Sequence, residues 1–494
     1  MSNTQELKRV LDKKNGILNG DADRIAKQRA QGKLTARERV AKLVDEGSFV
    51  ETDALLSRNG DYAGVVTGYG TVQDRPVYLF AQDFTVHGGA MGVQQAQKIL
   101  KVLDLAQKTG APVIALCDSA GVRLDEGAAA MNAYAQVYAK MARMSGVCPM
   151  IALVLGPCVG GAALISQLCD VSIMAEKVGK MMVYGPQVMS AISGKTYTDE
   201  TAGGAKAMAA QGGVALTAEN EDAAIALAWQ VLDLLPACNA EDAPIVDTDD
   251  MNRLLPATDA NDSNALLGAM ADAGQYVELY KDWGKEIRVA LCRIGGRSVG
   301  IVASNAAENE GMLTPAAAAK AARFIRLCDC YSLPVVSLIN SKGVAVPEVN
   351  SQSWTMISVA QLLYAYAEAT CPKVSVVVGN AIGQSYIAMA GKGNADMTYA
   401  WPGAVISAVT PEAAVQVLYT KELKEGKEPA LETRARLEKE FSEDVADGVA
   451  AAAAGMIDDV CDPAETRKLV IAALEMLSSK RESNPPKKHG NLPL

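Results

Sequence analysis

Residues 150–170 read MIALVLGPCVGGAALISQLCD and decide the fold. The apolar run at 151–155 predicts a buried strand, and small and apolar residues at 162–168 follow at helical spacing. Between them, residues 156–161 predict a glycine turn that leads into a helix N-terminus. Glycines let a ligand approach the backbone, and the first turn of a helix leaves its N–H groups without intrahelical acceptors. The turn is either a site for an oxyanion or thioester carbonyl, or an ordinary tight βα turn.

The composition predicts a globular protein that does not bind nucleic acid. The chain has 494 residues, of which 49% are hydrophobic and 21% charged, and its formal net charge is -10. An acidic chain of this kind argues against nucleic acid as a partner. The sequence contains two histidines, His87 and His489, so a Ser-His-Asp or histidine-metal mechanism has little to draw on. We therefore expect no metal, and chemistry that relies on backbone donors or on groups of the substrate.

The cysteines and the N-terminus predict a cytoplasmic protein. Ten cysteines are present without a CxxC pair, a usage typical of buried reduced thiols. The first sixteen residues are charged and lack the apolar core of a signal peptide. The longest uncharged apolar run, 150–165, is interrupted by glycines and a proline, so a membrane span is not expected.

Strands, glycine turns and helices alternate from residue 64 onward. Strands are predicted at 65–72, 76–82 and 112–117, and helices at 93–108 and 128–145. This alternation is typical of an α/β layer fold with βαβ units.

The second half of the chain repeats the first. Residues 334–344, PVVSLINSKGV, match residues 112–122, PVIALCDSAGV, at an offset of 222. The pattern around Gly379 matches that around Gly156 at an offset of 223. A register held this closely predicts an internal duplication, with domains at 1–240 and 263–494 and a polar linker at 241–262.

Each half presents two turns that could hold an oxyanion: 118–123 and 156–161 in the first, 340–344 and 379–386 in the second. Two equivalent backbone sites suit a reaction in which two carbonyl oxygens develop negative charge. Carboxyl transfer is such a reaction, because an acyl-CoA thioester becomes an enolate and the ureido oxygen of biotin becomes enolate-like. Backbone donors aimed at each oxygen contribute a few kcal/mol.

Several motifs occur along both halves. They are GKLTARER (32–39), GVVTG (64–68), QDFTV (82–86), GPCVGGA (156–162), GGA (203–205), YAYAEAT (364–370), YAWP (399–402) and KKHGN (487–491). With them the whole chain resembles the carboxyltransferase (β) subunit of biotin-dependent acyl-CoA carboxylases, of the propionyl-CoA and methylmalonyl-CoA carboxyltransferase kind. It also resembles the related transcarboxylases and the α subunits of sodium-pumping biotin-dependent decarboxylases.

The resemblance implies two tandem crotonase-like (ClpP-like) ββα-superhelix domains of the α/β class. It implies a homohexamer, a trimer of dimers, with each active site between the first domain of one subunit and the second domain of another. Acyl-CoA would bind the first half, and biotin on a separate carrier would bind the second, because no Met-Lys-Met attachment segment is present. The expected partners are a biotin carboxyl carrier protein and a biotin carboxylase subunit, or the membrane subunits of a decarboxylase.

The resemblance also assigns site residues. Ala120 and Gly121 stand where the family has two adjacent glycines that hold the first oxyanion, and Gln384 and Ser385 stand at the second oxyanion site. The residues expected to bind acyl-CoA are Lys33, Arg37, Gly88, Gly89, Gly156, Gly160 and Gly161, and those expected to bind biotin are Gly383, Tyr386 and Ile387. Without the resemblance, the segment that contains Lys33 and Arg37 has two possible interpretations. It is either a basic edge that binds a phosphate-bearing ligand or an ordinary surface helix.

The second half departs from the family pattern. Residues 340–344 read NSKGV where the family has Asp-x-Pro-Gly-Phe, and Lys342 adds a positive charge beside the expected biotin site. Ile387 stands where propionyl-preferring relatives have aspartate, which indicates a different or broader acyl preference unless the side chain is simply core.

Three functions are compatible with these observations. The first is the carboxyltransferase subunit of a biotin-dependent acyl-CoA carboxylase. The second is the same chemistry in the α subunit of a sodium-pumping decarboxylase or in a transcarboxylase. The third is a duplicated crotonase-fold scaffold that binds acyl-CoA without carboxyl transfer.

Overall fold

The chain forms two compact units, Met1–Asp242 and Ala243–Leu494. The computed structural model describes residues 3–58, 61–346, 352–425 and 430–491. Each unit has α/β architecture with its own sheet and its own apolar core, as the duplication predicts.

The first unit contains ten strands and ten α-helices within the described ranges. Its strands are β1 Val50–Thr52, β2 Ser57–Arg58, β3 Asp61–Tyr62, β4 Val65–Val72, β5 Arg75–Gln82, β6 Val113–Ser119, β7 Met150–Val159, β8 Val171–Ala175, β9 Lys180–Met182 and β10 Leu216–Ala218. Its helices are α1 Asn3–Asn19, α2 Ala22–Ala30, α3 Ala36–Leu43, α4 Val93–Thr109, α5 Ala128–Met144, α6 Gly161–Gln167, α7 Pro186–Ser193, α8 Asp199–Gly203, α9 Ala205–Ala210 and α10 Glu221–Leu234.

The first sheet runs in the order β1-β4-β5-β6-β7-β8-β10, and β9 pairs with β7. The pairs from β1 to β5 are antiparallel, and those from β5 to β10 are parallel. Helices α4 and α5 cover the parallel part, where Phe80, Ile99, Val137 and Val154 are fully buried. Both faces of these strands are apolar, as parallel strands between helices require.

The second unit repeats this plan. Its strands are β11 Tyr276–Leu279, β12 Ile287–Ile294, β13 Arg297–Ser304, β14 Val335–Ser341, β15 Lys373–Ile382, β16 Met397–Ala400, β17 Val405–Ser407 and β18 Asp459–Val460. Its helices are α11 Ser263–Met270, α12 Pro315–Cys330, α13 Gln352–Glu368, α14 Pro411–Leu418, α15 Thr420–Glu425, α16 Ala430–Asp444, α17 Gly448–Ala453 and α18 Thr466–Met476. The sheet order is β11-β12-β13-β14-β15-β16-β18, and β17 pairs with β15.

A shared irregularity shows how closely the backbones correspond. In the first unit β6 and β7 pair regularly until Cys117↔Val154, and the register then shifts to Ser119↔Cys158. In the second unit the regular pairing ends at Ile339↔Val377 and resumes at Ser341↔Ala381. Each unit therefore inserts two extra residues into the same strand, a bulge that redirects the strand end.

The repeat extends to a buried lysine in each unit. Lys98 on α4 donates from Nζ to the Val65 carbonyl at 2.7 Å, and Lys320 on α12, 222 residues later, donates to the Trp283 carbonyl at 2.9 Å. Burial lowers the pKa of each lysine to about 8. Both side chains are therefore structural polar groups with a partner inside the core.

The N-terminal residues form two helices, α1 and α2, because Asp21 caps the second; residues 1 and 2 lie outside the described ranges. Two local predictions change. Residues 156–159 continue β7, so the turn itself begins only at Gly160. Most of the segment expected as a linker packs on the second unit, where Leu255 is buried and its N–H donates to the Ala464 carbonyl.

Within the described ranges, no helix combines the length and apolarity that crossing a membrane requires. In the same part of the chain, no cluster of three or more His, Cys, Asp or Glu side chains is arranged to hold a metal ion.

Candidate functional site

Three backbone segments meet at the carboxyl ends of β6 and β7 in the first unit. The 3₁₀ turn His87–Gly89 bonds to the end of β6, because the Ala120 N–H donates to the Gly88 carbonyl at 2.8 Å. A Cβ on Gly88 would lie 3.3 Å from the Cβ of Ala120. A Cβ on Gly121 would lie 3.1 Å from the carbonyl oxygen of Val159 at the end of β7. The structure thus brings together the predicted residues of both turns.

Two glycines give these segments their shape. Gly121 has φ +112° and Gly160 has φ +58°, backbone conformations that residues other than glycine rarely adopt. Gly160 donates its N–H to the Met182 carbonyl and then forms the N-cap of α6. The first turn of α6 follows directly, with Gly161 as its first residue.

Two tyrosines of α5 hold these turns in place through hydrogen bonds to their carbonyls. The Tyr134 hydroxyl donates to the Gly121 carbonyl at 2.9 Å, and the Tyr138 hydroxyl donates to the Gly161 carbonyl at 2.9 Å. Burial raises the pKa of Tyr138 to about 12 and that of Tyr134 further, so both hydroxyls keep their protons at neutral pH. Each turn therefore has a side-chain donor that fixes its carbonyl.

A buried ion network lies under the same turns. Arg39 of α3 donates to Asp118 Oδ2 at 2.8 Å, to both oxygens of Glu221 at 2.7 and 2.9 Å, and to the Leu155 carbonyl at 2.6 Å. Lys33 donates from Nζ to Asp118 Oδ1 at 2.8 Å. Burial opposes the charge of Arg39, but the two carboxylates outweigh burial and hold the pKa of Arg39 above its usual value.

This network holds β6 against β7. A Cβ on Gly156 would lie only 2.0 Å from Asp118 Oδ1, so glycine is required for the carboxylate to approach the strand end. Arg39 contacts the carbonyl of the preceding residue, Leu155. The position of the bulge in β7 is thus tied to α3 and to α10 through buried hydrogen bonds.

The second unit has the same backbone arrangement. The Lys342 N–H donates to the Glu310 carbonyl at 3.3 Å, as the Ala120 N–H donates to Gly88. The Gly343 N–H donates to Ser341 Oγ, as the Gly121 N–H donates to Ser119 Oγ. Gly343 has φ +114°, within a few degrees of its counterpart in the first unit.

The groups beneath the second turn are neutral. Asn340 stands at the position of Asp118 and accepts the Asn380 N–H at 3.0 Å. Its Nδ2 donates to the Ala260 carbonyl and to Asn261 Oδ1, each at 3.1 Å. Gly379 approaches Asn340 as Gly156 approaches Asp118, since a Cβ there would lie 2.4 Å from Oδ1. At this position of the repeat an amide therefore replaces the carboxylate of Asp118. It pairs with the side-chain amide of Asn261 rather than with an arginine.

The predicted residues 383–387 have separate roles. Gly383 donates its N–H to the Ser407 carbonyl. Ser385 is buried, and its hydroxyl lies 2.8 Å from the Ile382 carbonyl and 3.2 Å from the Ser341 carbonyl, linking the two turns. Gln384 is exposed, and Ile387 is 51% exposed, so Ile387 is not core.

Several side-chain expectations need correction. Tyr386 is buried, and its hydroxyl donates to the Met456 carbonyl at 2.7 Å, so the hydroxyl is engaged within the protein rather than offered to biotin. Lys33 is buried against Asp118 and lies 4.1 Å from the centroid of the Phe84 ring, so its ammonium does not form a basic surface edge. Arg37 pairs with Glu51 through two hydrogen bonds of 2.8 and 3.2 Å.

The proposed oxyanion donors of the first turn also have partners. The Ala120 N–H donates to the Gly88 carbonyl at 2.8 Å, and the Gly121 N–H donates to Ser119 Oγ at 3.1 Å. These two residues shape the turn, and they could serve an oxyanion only if these hydrogen bonds were released. The first turn of α6 lies beside them. Its Ala163 N–H donates to the Gly160 carbonyl at 3.1 Å, whereas the N–H groups of Gly161 and Ala162 precede the first hydrogen bond of the helix.

Sequence reasoning missed the groups that hold the site in place. Arg39, Glu221, Tyr134 and Tyr138 belong to helices that read as ordinary amphipathic elements. Thr35 caps α3, because Thr35 and Glu38 form a reciprocal capping box. A usable signal was the arginine at a buried position of α3, since a fully buried arginine requires carboxylate partners.

Comparison with known proteins gives one consistent result. The model of the carboxyl transferase domain family matches residues 27–492. The chain is 40% identical to the methylmalonyl-CoA decarboxylase subunit alpha of Veillonella parvula, covering 96% of each chain. It is 39% identical to the putative propionyl-CoA carboxylase beta chain of Bacillus subtilis (strain 168), again covering 96% of each.

A solved structure agrees over the full length. The chain matches transcarboxylase 12S, solved with methylmalonyl-coenzyme A and methylmalonic acid bound and described as a hexamer, with a TM-score of 0.95 and 36% identity. The match covers 100% of this chain and 99% of that one. The predicted fold, two tandem crotonase-like domains of the α/β class, is confirmed.

Proposed function

The chain belongs to the carboxyl transferase domain family, and from that premise we propose that its first unit binds an acyl-CoA and its second unit binds the biotin of a carrier protein. It is a transferase, a carboxyltransferase of the biotin-dependent acyl-CoA carboxylase class. The observation that carries the proposal is the repeated pair of glycine turns, which gives one chain two equivalent backbone sites.

The first unit suits the thioester. Three residues at its turn are small or apolar: Gly88, Ala120 and Leu164, of which Leu164 is 51% exposed. A site of this kind accepts an acyl chain and leaves polar recognition to the backbone. Because Tyr134 and Tyr138 fix the carbonyls of Gly121 and Gly161, the N–H groups of the same peptides have little freedom to reorient.

We assign the stabilisation of the acyl enolate to backbone N–H groups of this turn. The Gly161 end of α6 is the principal donor segment, with Ala120 and Gly121 defining its rim. One preorganised donor of this kind contributes about 3 kcal/mol to a transition state. The remaining acyl-CoA residues of the first unit, Gly89, Gly156 and Gly160, act by letting the backbone of the site pack closely. A Cβ would lie 2.2 Å from the Asp118 carbonyl oxygen at Gly89, 2.0 Å from Asp118 Oδ1 at Gly156 and 3.5 Å from the Val183 carbonyl oxygen at Gly160.

The second unit fits a biotin ring. Gly383 has φ +54°, and a Cβ there would lie 2.9 Å from the Ala408 carbonyl oxygen, so glycine lets this turn pack against the neighbouring segment. Exposed Ile387 offers an apolar contact, and Gln384 and Ser385 supply the local backbone donors. Biotin, when bound, supplies a ureido nitrogen that carries the transferred carboxyl group. Tyr386 contributes by fixing the Tyr386–Ala390 helical segment to Met456.

The partners follow from the proposed binding of acyl-CoA to the first unit and of biotin to the second. We propose that biotin arrives on a separate biotin carboxyl carrier protein and is carboxylated by a separate biotin carboxylase subunit. For a decarboxylase, membrane subunits would take that place, as the similarity to the Veillonella parvula subunit makes reasonable. We propose a homohexamer, which is how the similar transcarboxylase 12S is described.

Carboxyl transfer with defined substrates tests the proposal. The assembled protein is mixed with methylmalonyl-CoA and a biotinylated carrier, and in the reverse direction with a carboxylated carrier and acetyl-, propionyl- or longer acyl-CoA. We expect carboxyl transfer with at least one short acyl-CoA, and none with a carrier that lacks biotin. Acyl-CoA binding without transfer in either direction would contradict the proposal and would favour the scaffold function.

A further inference from the structure

The internal repeat places different side chains at one pair of equivalent backbone positions. In the first unit the pair is Gly88 and Ala120, which hold no charge. In the second unit, 222 residues later, it is Glu310 and Lys342, whose Oε1 and Nζ atoms lie 2.5 Å apart. The backbone hydrogen bond between the two positions is present in both units. The units therefore share geometry at this point and differ in charge.

This ion pair is poorly suited to a structural role. The Lys342 side chain is 41% exposed and that of Glu310 is 56% exposed, and exposed ion pairs contribute little to stability. Glu310 also has φ +53°, where its counterpart Gly88 has φ +63°. A glutamate in left-handed backbone is less favourable than glycine, so the pair does not serve the fold of this turn.

The Lys342 side chain is attached to the second turn and is partly exposed to solvent. Lys342 directly precedes Gly343, and a Cβ on Gly343 would lie 3.5 Å from the Ile382 carbonyl oxygen. Glu412 at the start of α14 is close enough for Lys342 to help lower the pKa of Glu412, after the larger effects of the Glu412 N–H and the Thr410 hydroxyl. A partly exposed cation that is paired with one carboxylate, Glu310, can exchange it for a carboxylate of a ligand.

We propose that Lys342 is a specificity-determining residue that receives the carboxylate of carboxylated biotin, with Glu310 holding the ammonium until that carboxylate displaces it. This inference rests on the proposed placement of biotin at the second unit. It requires only an exchange of ion pairs and no covalent step. The turn would thereby distinguish the carboxylated carrier from the uncarboxylated one, through an ion pair whose equivalent positions in the first turn, Gly88 and Ala120, carry no charge.

Binding of two stable biotin derivatives tests the inference without relying on turnover. One derivative is a biotin amide whose ureido nitrogen carries a carboxymethyl group, and the other carries a methyl group and is neutral. Titration calorimetry on the assembled protein at 0.15 M salt measures both, because charges farther than about 8 Å are then largely screened. We expect the wild type to bind the carboxymethyl derivative about tenfold more tightly than the methyl derivative.

Two variants of the pair are expected to act in opposite directions. Lys342→Gln should bring the ratio of the two affinities close to one, because the cation is lost. Glu310→Gln should raise the ratio severalfold, because the competing carboxylate is lost. A pair that merely supports the turn would change binding in the same direction in both variants, since either substitution breaks it.

A matched control is Lys439→Gln on α16, which removes an exposed lysine paired with Glu443 at 3.8 Å and should leave the ratio unchanged. The KM for the carboxylated carrier should rise in Lys342→Gln, while the KM values for the uncarboxylated carrier and for acyl-CoA stay within about twofold. A ratio in Lys342→Gln equal to that of the wild type would overturn the inference. Wild-type protein that transfers no carboxyl group and binds neither derivative would instead overturn the proposed function.

Discussion

Replacing Gly161 by alanine is expected to slow carboxyl transfer about a hundredfold or more, with the fold of the first unit retained. A Cβ at this position would lie 2.5 Å from Tyr134 Cε1 and 2.7 Å from the Tyr138 hydroxyl oxygen. Neither tyrosine can yield freely, because each hydroxyl is bonded to a carbonyl of the turn. The clash must therefore move the turn that we assign to the thioester oxygen.

The loss should appear in kcat more than in KM. Backbone N–H groups aimed at an oxyanion act mainly in the transition state, so a shift of a few tenths of an ångström weakens catalysis more than substrate binding. The measurement is steady-state transfer from methylmalonyl-CoA to a biotinylated carrier by the variant and by the wild type. Circular dichroism and thermal unfolding of the same samples separate a displaced turn from an unfolded unit.

Gly268→Ala is the matched control. Gly268 lies within α11, and a Cβ there would meet nothing within 4 Å, so the same change of residue type creates no clash. This control should transfer carboxyl groups at the wild-type rate and gain slightly in stability, since alanine favours helix over glycine. Wild-type activity in Gly161→Ala would show that this turn does not hold the reacting oxygen.

Arg39→Leu is expected to lower the free energy of unfolding of the first unit by about 3–5 kcal/mol. Arg39 is fully buried, and its guanidinium donates hydrogen bonds to Asp118, Glu221 and the Leu155 carbonyl. Leucine fills part of the volume but leaves two buried carboxylates with fewer partners. Removing one member of a buried ion network is far more destabilising than its net contribution would suggest, because the remaining charges stay desolvated.

Hydrogen exchange read by mass spectrometry measures this effect locally. Peptides from α3 and α10 should lose protection together, since Arg39 joins these helices and Trp229 of α10 also donates to the Leu43 carbonyl. Arg29→Leu is the control: Arg29 is 61% exposed and pairs with Glu38, and its loss should cost less than about 1 kcal/mol. Equal effects of the two substitutions would contradict a structural role for the buried network.

The duplication and the positions of the turns could be predicted because both depend on short, contiguous sequence patterns. Glycine patterns and apolar runs recur at offsets of 222 and 223, and the structure shows the same register shift in both sheets. Strand ends were less accessible to prediction. Residues 156–159 look like a turn because of Gly156 and Pro157, yet they remain paired with β6 and β9 through the bulge.

The support of the site could not be predicted because it is nonlocal. Arg39 reaches Asp118 across 79 residues and Glu221 across 182, and no sequence pattern links such positions. The same distance effect explains why the sequence places Lys33 either at a basic edge or on an ordinary surface helix. The two residues before it, Gln31 and Gly32, are exposed, but its ammonium pairs with buried Asp118.

The comparison of the two units suggests how one backbone serves two ligands. Beneath the first turn lie Arg39 and Asp118, and Gly88 and Ala120 at its rim carry no charge. Beneath the second lies Asn340, and the equivalent rim positions carry Glu310 and Lys342. At these equivalent positions, charge lies below the turn in one unit and at its rim in the other. We expect the first unit to favour an acyl chain and the second to favour a ligand with its own charge.

The position of the thioester oxygen in a complex with methylmalonyl-CoA tests the central claim most directly. An experimental structure of the assembled protein with this ligand should place that oxygen about 3 Å from backbone N–H groups of the turn that contains Gly161. A thioester oxygen found instead at Gln384 and Ser385 of the second unit would contradict the assignment of the two sites.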